Sequence, residues 1–148
     1  MALLAVPART TDFLEALDET GARPSPASRF RAVFGQRARQ LLGGPAVTIR
    51  AEDGRLCLIA GLYVEGQTVA EAWFAPGEAL KDRLLEAFVL ARELLVEVCR
   101  EASPVEVVAY ASPVSVAAPT LARWFGFTGP TPAQTPAGPF ESWARRFT

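Results

Sequence analysis

Glu71 is a carboxylate inside an apolar, strand-like run, "TVAEAWF", where alternation places it on the same face as Val69 and Trp73. A carboxylate on a face suited to the core is either held there to move protons or sits where a sheet edge frays, and the sequence leaves both readings open. Composition removes most other chemistry. The chain has no histidine, so Ser-His-Asp and Cys-His catalysis and most zinc sites are excluded, and no metal site is expected. Cys57 and Cys99 stand in apolar segments without paired spacing and read as buried free thiols of a reducing compartment. Tyr110, in "VEVVAYA", is a half-buried strand tyrosine with a hydroxyl to offer. The last candidate is an anion site. "FAPGEALKDRLLE" leads into a helix predicted from about residue 79, and a helix start attracts negative charge. Pro76 brings no N–H to that junction, and Glu78 is most simply the helix's own dipole partner.

The rest of the composition sets limits on the scaffold. A chain of 148 residues is expected to form one domain, 1–148, with a real core. Half the residues are hydrophobic and the formal net charge is −1, which disfavours disorder and nucleic-acid binding by bulk charge. "MALLAVPART" has too short an apolar run for a signal peptide. No apolar run approaches the ~20 residues of a membrane span, so no membrane partner is expected.

"LLAV" (3–6) suits an edge strand, and Thr11 with Glu15 suits the start of a helix through Leu17. "GARPSPAS" (21–28) reads as a linker. Ser28 can cap a second helix with Phe30, Val33, Phe34, Ala38, Leu41 and Leu42 at helical spacing, stopped by Gly43 and Gly44. Its arginines, Arg29, Arg37 and Arg39, lie mostly off the apolar stripe and read as a solvated face. Residues 46–74 hold three strand-like runs divided by Asp53-Gly54 and Glu65-Gly66, pairs that suit tight hairpin turns, so an antiparallel meander is predicted. A long amphipathic helix follows from about 79 to 101, with Leu80, Leu84, Phe88, Ala91, Leu95 and Val98 as its stripe. "VEVVAYA" (105–111) is apolar enough for a central strand. "TLARWFGF" (120–127) is a short helix that Gly126 stops in a left-handed turn, with Phe127 returning into the sheet. A proline-rich surface loop (129–139) and a last strand, "FESWARRF", complete the order β-α-α-β-β-β-α-β-α-β. Phe88, Leu95, Val107, Val108, Leu121, Trp124 and Phe127 are the predicted core.

This order, with the Asp53-Gly54 hairpin before the long helix and Phe125-Gly126-Phe127 before the final strands, resembles the GNAT superfamily of acetyl-CoA-dependent N-acetyltransferases over roughly residues 28–147. The resemblance implies an α/β (α+β) fold, a mixed twisted sheet with a central antiparallel meander and a long crossover helix. It also implies that the strands near 67–74 and 105–111 run parallel and splay apart at one end. A narrower similarity is to small GNAT-like proteins of phages and prophages, including the internal virion protein A family of short-tailed phages. It rests on "AEAWFAPGEALKDRLLEAF", "LARWFGF" and "FESWARRF".

Three functional parts follow from the resemblance. A Gln/Arg-x-x-Gly-x-Gly/Ala loop before the long helix would hold the pyrophosphate of coenzyme A. Here Gly77, Glu78 and Ala79 occupy that junction, with Gly77 its only glycine. The general acid, often a tyrosine four residues before the Gly of Gly-Phe, falls on Ala122, and an asparagine seven residues earlier falls on Ser115, leaving Tyr110 as the substitute acid. The base, often a carboxylate on the strand before the long helix, falls on Glu71. With the loop and the acid altered, the resemblance is read as a phage-type GNAT-fold binding protein, with virion or assembly proteins as partners and no cofactor. It would act in the host cytoplasm or in the virion, and oligomerisation is left open. The alternative is a divergent N-acetyltransferase using acetyl-CoA.

Overall fold

Turn chemistry and alternation build the first half of the sheet. The computed structural model describes residues 3–20, 44–64, 66–135 and 138–148. The linker at 21–28, the arginine-bearing helix at 28–42, Glu65 and Pro136 lie outside the described residues. The elements are β1 (Leu4–Pro7), α1 (Thr10–Thr20), β2 (Ala46–Arg50), β3 (Leu56–Val64), β4 (Val69–Pro76), α2 (Leu84–Ala102), β5 (Val105–Ala111), α3 (Ala118–Trp124), β6 (Thr128–Thr135) and β7 (Gly138–Phe147). The strands form one mixed sheet in the order β1-β2-β3-β4-β5-β7-β6.

β2, β3 and β4 make the predicted antiparallel meander. At its first turn Gly54 adopts φ +87°, and Ala51 accepts from the Gly54 N–H at 2.9 Å, a turn closed by a left-handed glycine. The second reversal is longer than the predicted tight turn, because Val64 pairs with Ala70. β1 is the predicted edge strand, pairing with β2.

β4 and β5 run parallel, as expected, but their ladder covers only Val69–Ala72 against Glu106–Ala109. Beyond it β4 continues to Pro76 and β5 to Ala111 with no pairing between them, so the sheet splays there. The proline-rich stretch predicted as a loop is instead edge strand β6 hydrogen-bonded to β7. Prolines suit an edge because one side of that strand needs no donors.

The two sheet faces have different covers. Ile59, Ala75 and Trp73 face α1 through Phe13 and Ala16, while Leu58, Phe74 and Ala72 face α2. α1 is fixed to β2 by charge. Asp12, 2% exposed, accepts from the Arg9 N–H at 2.9 Å, the Thr48 hydroxyl at 2.7 Å and the Arg50 guanidinium at 2.9 Å. Asp12 therefore closes the helix start, while Glu15 turns to Arg50 at 2.7 Å.

The predicted helix from 79 is a 3-10 turn, Glu78–Asp82, followed by α2. Burial of Ala79 and Leu80 against the sheet holds this segment tight. Among the described residues no helix is long and apolar enough to cross a membrane.

α3 ends as predicted. Gly126 has φ +86°, the Phe127 N–H reaches the Ala122 carbonyl at 2.9 Å, and the Gly126 N–H reaches Arg123 at 2.9 Å. Its remaining carbonyls are taken by arginines: Arg92 donates to Trp124 O at 3.2 Å and Arg145 to Phe125 O at 2.8 Å. Through Phe125 the aromatic pair packs on α2 as well as on the sheet clusters. Phe125 meets Phe88 edge-on at 5.9 Å, and Phe88 meets Phe74 of β4 at 5.7 Å.

Phe88, Val107 and Phe127 are buried as predicted, whereas Leu95, Val108, Leu121 and Trp124 are only partly so. Leu95 and Leu121 line a cavity, which explains their exposure. Trp143 of β7, absent from the predicted core, is the largest fully buried side chain. Cys57 and Cys99 are buried free thiols, and burial pushes both above the ordinary thiol range.

Candidate active site

The splay is a physical consequence of the ladder's end, and it opens a cavity of about 190 Å³. Its wall is built by α2, α3 and the strands they cover, and residues whose side chains belong to either sheet face border it. Glu71, Trp73 and Tyr110 come from the α1 face, and Phe74, Ala109 and Leu95 from the α2 face. The helices that line it are α2 and α3, so the cavity lies on the α2 face, bordered at the splay by β4 and β5.

Glu71 lies on β4, in the interior of the sheet, and is 5% exposed. The frayed-edge reading is thereby ruled out. Registers identify its neighbours on that face. Tyr63 of β3 is its direct antiparallel partner and Val108 of β5 its parallel partner. Tyr110, two residues beyond Val108, falls on the same face past the last paired residues. The two tyrosines of the chain thus flank one carboxylate from either side. Trp73 completes this face. It pairs with Gly61, whose missing side chain leaves room for the indole, and Phe13 of α1 packs on it at 5.3 Å.

Tyr63 was not among the sequence-predicted site residues. The signal was the β3–β4 register, which a two-residue turn at Glu65-Gly66 would have set differently. The structure brings Glu71 and Tyr110 to one cavity but leaves the predicted cofactor residues away from its wall. The Gly77 N–H extends the sheet ladder to Cys57 O at 2.9 Å, Ala79 is fully buried, and Glu78 pairs with Lys81 at 3.0 Å. Ser115 accepts from the Ala118 N–H at 3.3 Å, at the start of α3, and Ala122 faces the cavity as a small wall residue.

The residues can be tested for fit to coenzyme A on these observations. Along Phe74–Pro76, β4 runs past the end of its ladder with β5. An extended, amide-bearing arm can add to such an edge as a strand would. The α helix begins at Leu84, so its free N–H groups lie at Leu84, Leu85 and Glu86. Glu86 is neutralised by Arg83 at 2.7 Å, so the helix start carries no uncompensated negative charge. The β4 edge and the helix start fit the cofactor; backbone N–H groups rather than a glycine loop would meet its phosphates.

No protein-family model matches the chain, and no curated protein does. Solved structures do. An aminoglycoside acetyltransferase, AAC(6')-Ib, solved with coenzyme A and kanamycin, has 16% sequence identity and a TM-score of 0.69, over 98% of this chain and 95% of that one. An acetyltransferase from Agrobacterium tumefaciens has 18% identity and a TM-score of 0.66, over 98% and 91%. An N-acetyltransferase from Staphylococcus aureus Mu50 has 14% identity and a TM-score of 0.65, over 99% of both chains. The fold is therefore that of the GNAT N-acetyltransferases.

Proposed function

We propose that the chain is an acyl-CoA-dependent N-acyltransferase, with Glu71 as base and Tyr110 as acid. The observation that carries this is the buried Glu71 carboxylate on β4 beside the splay, where β4 and β5 border the cavity. It favours the enzyme reading over a cofactor-free binding role. The β4 edge at Phe74–Pro76 and the N–H groups at Leu84–Glu86 would hold coenzyme A, which supplies an activated acyl group and a thiolate leaving group. A Glu71 carboxylate oxygen takes the proton an attacking amine must lose. The Tyr110 hydroxyl, on the same face beyond the ladder, holds a proton for the leaving sulfur. Trp73, packed between Phe13 and Gly61, keeps water from the base.

Purified protein with acetyl-CoA and a panel of primary amines is expected to release free thiol in an amine-dependent manner. Release no faster than thioester hydrolysis for every amine would refute the reading.

The second reading, a phage virion or assembly component, is favoured by the exposed Leu84 and Leu85 at the start of α2, an unusual pair beside a phosphate site. Recovery of the protein in purified particles, together with failure to bind coenzyme A, would support it.

A further inference from the structure

We infer that the site takes an acyl donor longer than acetyl, a thioester with a chain of about six to eight carbons; the inference rests on the acyltransferase reading above. A dry cavity of about 150 Å³ holds a six-carbon ring, and this one measures about 190 Å³. The thioester end of the arm enters it at Phe74 and Phe88, and the far end, walled by apolar side chains, is left to the acyl chain.

Depth and polarity point the same way. From α2, the lining runs from Phe88 to Val98, about 15 Å at 1.5 Å per residue. Phe88 lies toward the open splay, since its ring meets Phe74 beyond the last paired residues. Val98 packs with the cluster around Val105 and Val107, beneath the closed end. An amide-bearing arm needs polar partners, and the unpaired ends of β4 and β5 at the splay offer them. Along Val69–Ala72, β4 is paired with β5, and from Ala70 with β3 as well, so backbone groups there are spent. The deep part, walled by Leu95, Val98, Ala109, Ala122 and Trp143, therefore suits hydrocarbon. It opens on the α2 face, opposite Glu71, which puts the hydrocarbon on the donor side and leaves the carboxylate face to the amine.

The test is binding of free coenzyme A, acetyl-CoA, hexanoyl-CoA and octanoyl-CoA by calorimetry, with Ala122→Phe and, as a milder filling, Ala109→Val. Hexanoyl- and octanoyl-CoA are expected to bind at least about tenfold more tightly than acetyl-CoA, since each buried methylene adds affinity. Filling should erase that difference, hexanoyl- and octanoyl-CoA losing at least about tenfold more affinity than acetyl-CoA does. Equal affinity across the series would overturn the chain-length inference and leave acyl transfer standing. Failure of all four to bind would remove both.

Discussion

Tyr63 and Glu71 face each other directly across β3 and β4, and Tyr110 flanks the same carboxylate from β5. Replacing the carboxylate should therefore act on chemistry. Glu71→Gln is expected to lower kcat by about 100-fold or more, the usual contribution of a positioned base, with little change in KM for the acyl-CoA. Tyr110→Phe should lower kcat by a similar order. Tyr63→Phe keeps the ring and removes only the hydroxyl, so about fivefold is expected. Steady-state kinetics decides, and a Glu71→Gln enzyme within threefold of the parent would remove Glu71 as base.

Asp12 gives the fold a pH dependence. Burial raises its pKa, but hydrogen bonds from Thr48, the Arg9 N–H and Arg50, with the charge of Arg50, outweigh it and hold the carboxyl below the ordinary value of 3.8. A depressed folded pKa stabilises above the unfolded value and is lost as pH falls through the folded one. Asp12→Asn should cost roughly 1.5–3 kcal/mol at pH 7, the range for hydrogen bonds to a charged group. Urea titration should find that deficit shrinking below pH 4. A deficit unchanged between pH 7 and pH 3 would show that charge plays no part.

Gly126 closes α3 with φ +86°, and a Cβ there would meet Arg145 Nη1 at 2.9 Å. Gly126→Ala is expected to cost about 1–2 kcal/mol, the penalty of a left-handed L-residue, because the arginine tip can shift. Urea titration checks it, and a cost below about 0.5 kcal/mol would mean that the turn rearranges.

Much of this was legible in the sequence because local signals agreed with the fold. Asp53-Gly54 set one turn, Gly126 ended α3, and the stripe from Leu84 to Val98 marked α2. Non-local effects were hidden. Prolines at 130 and 132 read as loop because nothing local shows that residues 128–135 lie at a sheet edge, where a missing donor is harmless. The start of α2 was misplaced because burial of Ala79 and Leu80, a tertiary demand, tightens that segment into a 3-10 turn. Leu95 and Leu121 carry the apolar signature of core, and periodicity cannot tell a packed core from the wall of a cavity. For the site, Glu71 and Tyr110 were visible singly. Tyr63 depended on a register that the longer β3–β4 reversal sets.

The most direct test of an acyl-CoA site in the splay is thermal unfolding with and without acetyl-CoA. At 100 times its Kd a ligand stabilises by about 2.7 kcal/mol, which for a chain of this size raises Tm by roughly 5–10 °C. That rise is predicted. An unchanged Tm at millimolar acetyl-CoA and octanoyl-CoA alike would contradict an acyl-CoA site in the splay.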